Sequence, residues 1–86
     1  MGHIDKIISK ILSGMQDQNI LFYELCNVLE HLGFSCRTKG SHHIYFKVEV
    51  EEIINIQPNG SKAKPYQVKQ IRNIILKYKF GGNDNV

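Results

Sequence analysis

The hydrophobic period of this chain switches from helical to alternating at Gly33, and that switch limits the available folds more than any other feature. Before it, Ile4, Ile7, Ile8, Ile11 and Leu12 recur as the stripe of an amphipathic helix over residues 3–12. Gly14 stops that helix, which is short enough to need a docking surface. Asp17-Gln18-Asn19 offers capping oxygens to a second helix. That helix carries Leu21, Leu25, Val28, Leu29 and Leu32 on one side, and Gly33 suits its C-terminal cap. From Phe34 the period becomes two: Phe34, Cys36 and Thr38 share one face, and Ser35, Arg37 and Lys39 the other.

Gly40-Ser41 then reads as a tight turn into a second strand over about residues 42–48. Glu49, Glu51 and Glu52 suggest a polar hairpin tip, followed by a third strand, Ile53-Ile54-Asn55-Ile56. Gln57-Pro58-Asn59-Gly60 breaks that strand. Pro65 suits the first position of a final helix, with Val68, Ile71, Ile74, Ile75 and Tyr78 at helical spacing to about Lys79. The expectation is an α+β fold: a three-stranded antiparallel meander with helices on one face and the other face open. Residues 1–80 make one domain, and 81–86 a polar, glycine-rich tail expected to be mobile.

An 86-residue chain buries roughly 60–65 % of its unfolded surface, so its core is thin. The apolar runs are too short for a transmembrane helix. The N-terminus has no signal-peptide pattern, so a cytoplasmic location is expected. Cys26 and Cys36 have neither the spacing nor the companions of a zinc site and read as reduced, packed thiols. Residues 1–30 hold two lysines against four acids, a net −2, whereas 31–86 hold nine Lys and Arg against four acids, a net +5. Lys62, Lys64, Lys69, Arg72, Lys77 and Lys79 form a basic block without an acid, which suits a polyanion such as nucleic acid or a solvated helix face.

The best candidate site is Lys39-Gly40-Ser41-His42-His43-Ile44-Tyr45-Phe46, where two histidines follow a turn beside lysines. Imidazole accepts and donates protons near neutrality. In element order, in its Gly40-Ser41-His42-His43-Ile44-Tyr45 stretch and in Lys64-Pro65 opening the last helix, the chain resembles HicA toxins over residues 20–80. The resemblance implies a fold like a double-stranded RNA-binding domain and a ribonuclease of a toxin–antitoxin pair that cleaves mRNA with a catalytic histidine. It further implies no metal or organic cofactor, and a HicB antitoxin that blocks the site. Two features depart from the family: the helix at 3–12 is an extension, and the hairpin carries Glu49, Glu51 and Glu52. The extra helix leaves three uses for its Ile-rich face: the core, an antitoxin contact or a homodimer.

Strand parity and motif position point to different histidines. A regular strand from residue 42 puts His42 with Ile44 and Phe46, expected in the core, and His43 with Tyr45 and Lys47 on the open face. The family motif places its histidine directly after Gly-Ser, at His42. Both remain candidates for catalysis. Lys39, Lys47, Lys62 and Lys64 are candidate phosphate contacts, Gly40 and Ser41 form the turn, and Ser41 can donate a hydrogen bond. Tyr45 could stack on an unpaired base or pack in the sheet. His31 reads as a helix-end residue, His3 as inert and Tyr66 as packing; a metal site built on His31, His42 and His43 has no supporting spacing. Two other classes compete: an RNA-binding module of the same fold without catalysis, and a protein-interaction domain whose sheet edge accepts a strand.

Overall fold

The computed structural model describes residues 2–80; the expected mobile tail at 81–86 lies outside the described residues. Helix α1, His3–Ser13, ends at Gly14 in the left-handed region (φ 72°), which glycine occupies without steric penalty. A single 3-10 turn, Asp17–Asn19, leads to α2, Phe22–His31. The expected cap is therefore displaced. Leu21 precedes α2, and its N–H is taken by Glu24 Oε1 at 3.1 Å.

Asp17 is engaged elsewhere. Arg72 of α3 (Pro65–Tyr78) donates to both its carboxylate oxygens, at 2.8 and 3.2 Å, and to the Ile11 carbonyl at 3.1 Å. One guanidinium thus ties the end of α1 and the 3-10 turn to α3. A two-pronged Arg–carboxylate contact is geometrically specific as well as strong.

Strands β1 (Ser35–Lys39), β2 (His42–Lys47) and β3 (Val50–Ile56) form an antiparallel meander in the order β1-β2-β3. β3 starts earlier than its apolar run suggests, so the tip is Val48-Glu49 and the other two acids lie in the strand. Glu52 faces the helices, where Lys77 Nζ (2.8 Å) and the Tyr78 hydroxyl (2.7 Å) donate to its carboxylate. Glu49 at the tip is 3.6 Å from Lys47, and Glu51 stays exposed at the start of β3.

One face of the sheet carries Tyr45, Val50, Ile54 and Ile56 into a core with Leu25, Val28 and Leu29 of α2 and Val68, Ile71 and Ile75 of α3. α1 closes the helix layer with Ile7, Ile8 and Ile11. The stripe that suggested a homodimer contact is spent within the chain. Burying an isoleucine fully stabilises by about 1.5–3 kcal/mol, so a third helix is a large gain for so small a core. No helix of the described residues is long and apolar enough to cross a membrane.

Two outcomes test these ties. Asp17→Ala is expected to lower unfolding free energy by about 1.5–3 kcal/mol, read by urea denaturation, because it strands a partly buried guanidinium. The Lys77 hydrogen bond first, and then that of Tyr78, hold the Glu52 carboxyl down to about 2. A depressed carboxylate contributes stability above its unfolded value, about 4.3, and loses it as pH falls toward 2. Glu52→Gln should flatten the stability–pH curve across that window; an unchanged slope would remove Glu52 from the account.

Candidate active site

The turn between β1 and β2 has two residues, Gly40 and Ser41, with Lys39 paired to His42. Gly40 has φ 62°, the left-handed backbone that such a short reversal requires. Successive residues of β2 then alternate between faces. His42, Ile44 and Phe46 lie on the open face; His43, Tyr45 and Lys47 lie on the helix side. This is the reverse of the parity expected from the apolar character of Ile44 and Phe46. The reason is the register: Tyr45 pairs with Cys36 and Ile54, and His43 with Ile56, all on the covered side.

His43 therefore meets the Phe22 ring edge-on, with centroids 5.0 Å apart. Tyr45 is only 1 % exposed, so it offers no ring face to a base. Burial, and then the neighbouring Cys26 thiol, push its phenol well above the usual tyrosine range. Burial likewise raises Cys26, which disfavours the thiolate that nucleophilic chemistry would need. Cys26 is half-buried and Cys36 exposed at the sheet edge, so only the first is a packed thiol.

On the open face His42 sits in a polar network that the sequence reading did not contain. Asn55 Oδ1 lies 3.0 Å from its Nδ1, and Gln57 Nε2 lies 3.2 Å from its Nε2. The Gln57 amide also donates to Ser41 Oγ at 3.3 Å and accepts from Lys64 Nζ at 3.4 Å. Asn55 alternates with Ile54 and Ile56 on β3, Gln57 follows directly after the strand, and both stand beside the start of β2 because the meander is antiparallel. The only sequence signal for them was one amide inside an apolar strand and a second directly after it.

Gln57 is held from behind. The Gln67 amide, 1 % exposed, donates to the Gln57 carbonyl and accepts from its N–H, both at 3.2 Å, taking the place of a neighbouring strand. Gln67 lies in the first turn of α3, after Pro65, so the start of that helix and the end of β3 are one unit.

The predicted lysines separate. Lys39 is exposed at the end of β1 opposite His42, and Lys64 reaches the network through Gln57. Lys47 is at the far end of β2, about 16 Å along the strand from His42, over the Phe80 ring and beside Glu49. Lys62 is exposed in the turn that precedes α3, its backbone paired with Asn59 and Leu21. Among the described residues no three His, Cys, Asp or Glu side chains converge as a metal site would require.

The model of the family described as the HicA toxin of bacterial toxin-antitoxin systems matches residues 22–78, more than half of the chain. The chain belongs to the HicA toxin family. No curated protein and no solved structure matches it. Membership makes the chain a toxin of a toxin–antitoxin pair, with an antitoxin as its partner. In this HicA chain the matched span begins at α2 and ends with α3, so α1 lies outside it.

The face assignment is checked by two truncations on β2. Tyr45→Ala should cost about 3–5 kcal/mol in thermal unfolding, the usual penalty for emptying a buried aromatic site. Phe46→Ala, at a ring already 38 % exposed, should cost much less. The opposite order would mean that the strand is in the other register.

Proposed function

We propose that this HicA family member is an endoribonuclease that cleaves mRNA by acid–base catalysis at His42. The observation that carries the reading is the placement of His42: exposed on the open sheet face, directly after the Gly40-Ser41 turn, with Lys39 opposite and Lys64 one residue behind it in the network. His43 sits against Phe22 and serves packing.

In the proposed step the His42 imidazole takes the proton of a ribose 2′-hydroxyl. The 2′-oxygen bonds to the adjacent phosphorus, and the P–O5′ bond breaks. One fragment ends in a 2′,3′-cyclic phosphate. The other leaves as a 5′-hydroxyl, its oxygen accepting a proton from the imidazolium or from water. A positioned base of this kind contributes on the order of 10²–10⁴-fold. Charge gathers on the phosphorane oxygens, where fixed positive groups stabilise it. Lys39 and Lys64 supply those groups, and the Ser41 hydroxyl can donate a hydrogen bond. The antitoxin neutralises the chain most directly by covering this open face, where Ile44, Phe46 and Ile53 lie beyond the polar network.

Induced expression of the wild type, His42→Ala and His43→Ala tests the reading, with growth and RNA integrity as readouts. The wild type should arrest growth and degrade RNA, and His42→Ala should do neither while keeping its melting temperature. His43→Ala should retain cleavage and lose stability. An all-deoxy strand lacks the nucleophile and should survive. Salt-sensitive RNA binding without cleavage would replace catalysis by simple binding.

A further inference from the structure

The hydrogen bonds around His42 form a chain in which each donor determines the next. The Lys64 ammonium has donors only, so the Gln57 atom facing it at 3.4 Å is the carbonyl oxygen. The Gln57 NH₂ then faces His42 Nε2 and Ser41 Oγ, and it too has only donors. His42 Nε2 must accept, so it carries no proton. A neutral imidazole has one N–H, which falls on Nδ1 and donates to Asn55 Oδ1 at 3.0 Å.

We infer that Asn55 and Gln57 are positioning residues that fix His42 as the Nδ1–H tautomer and reserve Nε2 for the proton of the attacking hydroxyl. The inference rests on the reading of His42 as the base, and it adds which nitrogen acts and what selects it. In the structure Gln57 occupies the lone pair of Nε2, the place that the substrate 2′-hydroxyl takes. When the hydroxyl displaces it, Gln57 keeps its contacts to Ser41 and Lys64 and frees one N–H beside the scissile phosphate. The proton moves from the 2′-oxygen to Nε2, and the imidazolium keeps its Nδ1–H on Asn55.

Each neighbouring element contributes to the setting. Lys39 faces His42 from β1, and Lys64 stands behind Gln57 at the start of α3. β3 and the residue directly after it contribute only the two neutral amides at hydrogen-bond distance. The Asn55 amide oxygen on Nδ1 orients the ring and fixes its tautomer. Gln67 holds the Gln57 backbone at both its N–H and its carbonyl, so the latch is anchored to the core.

The experiment needs no RNA for its first arm. Long-range ¹H–¹⁵N spectra of the full chain, with His42 assigned by comparison with His42→Gln, report which ring nitrogen is protonated once the histidine is neutral. Wild type should show Nδ1–H, and Asn55→Leu should shift the population toward Nε2–H. An Nε2–H wild type, or a tautomer indifferent to Asn55→Leu, overturns the inference. In the second arm, Asn55→Asp should move the acid limb of the cleavage profile up by about one pH unit, because a carboxylate favours the imidazolium. Asn55→Leu should lower kcat by about tenfold or more with KM little changed. A merely structural Asn55 would alter the melting temperature and leave the pH profile in place, which also overturns the inference. Absence of cleavage by the wild type would instead overturn the ribonuclease reading, with the spectra still deciding the tautomer.

Discussion

The two-residue reversal at Gly40-Ser41 sets Lys39 opposite His42, and this register is the constraint on which the rest of the structure depends. A strand alternates with a period of two, so a slip of one residue would move every side chain of β2 to the other face. Tyr45 would leave the core, and His42 would turn under the helices. Burial of the Tyr45 ring opposes that slip, since an aromatic side chain buries on the order of 150–250 Å². The same register that fills the core therefore exposes the histidine. Packing and chemistry are two faces of one strand.

The scaffold beneath the site is tied together by polar contacts as much as by apolar ones. Gln67 completes the backbone hydrogen bonding of Gln57 where β3 runs out of partners, which makes the end of the sheet and the start of α3 a rigid corner. Arg72 fastens the other side of α3 to Asp17 and to the end of α1. That helix lies outside the span shared with the family, yet Ile7, Ile8 and Ile11 are integral to the core. It extends the helix layer rather than offering a free apolar surface.

The positive charge of the C-terminal half has several separate uses. Arg72 and Lys77 are spent on carboxylates inside the fold, and Lys47 lies over Phe80 far from the turn. Lys39 and Lys64 are the two cations brought to His42. A count of basic residues along the chain overstates what an RNA phosphate near the imidazole would meet. The acids are similarly redistributed, because Glu52 faces α3 instead of extending the hairpin tip.

The α+β class, the order of the elements, the Gly40-Ser41 turn and Pro65 as a helix start were legible in the sequence, because periodicity and turn chemistry act locally. The face of His42 was legible in principle. With Phe34, Cys36 and Thr38 inward and a two-residue turn, counting back across the hairpin pairs Cys36 with Tyr45 and sends Tyr45 inward. Apolar character pointed the other way, since Ile44 and Phe46 look like core residues and instead line the open face. What only the tertiary structure decided is the set of partners: Asn55 and Gln57 on His42, Gln67 behind Gln57, Asp17 on Arg72 and Glu52 on Lys77. These pairs are separated along the chain by 10 to 55 residues. Local propensity carries no information about such contacts; they exist because strand pairing and helix docking bring distant side chains within hydrogen-bond reach.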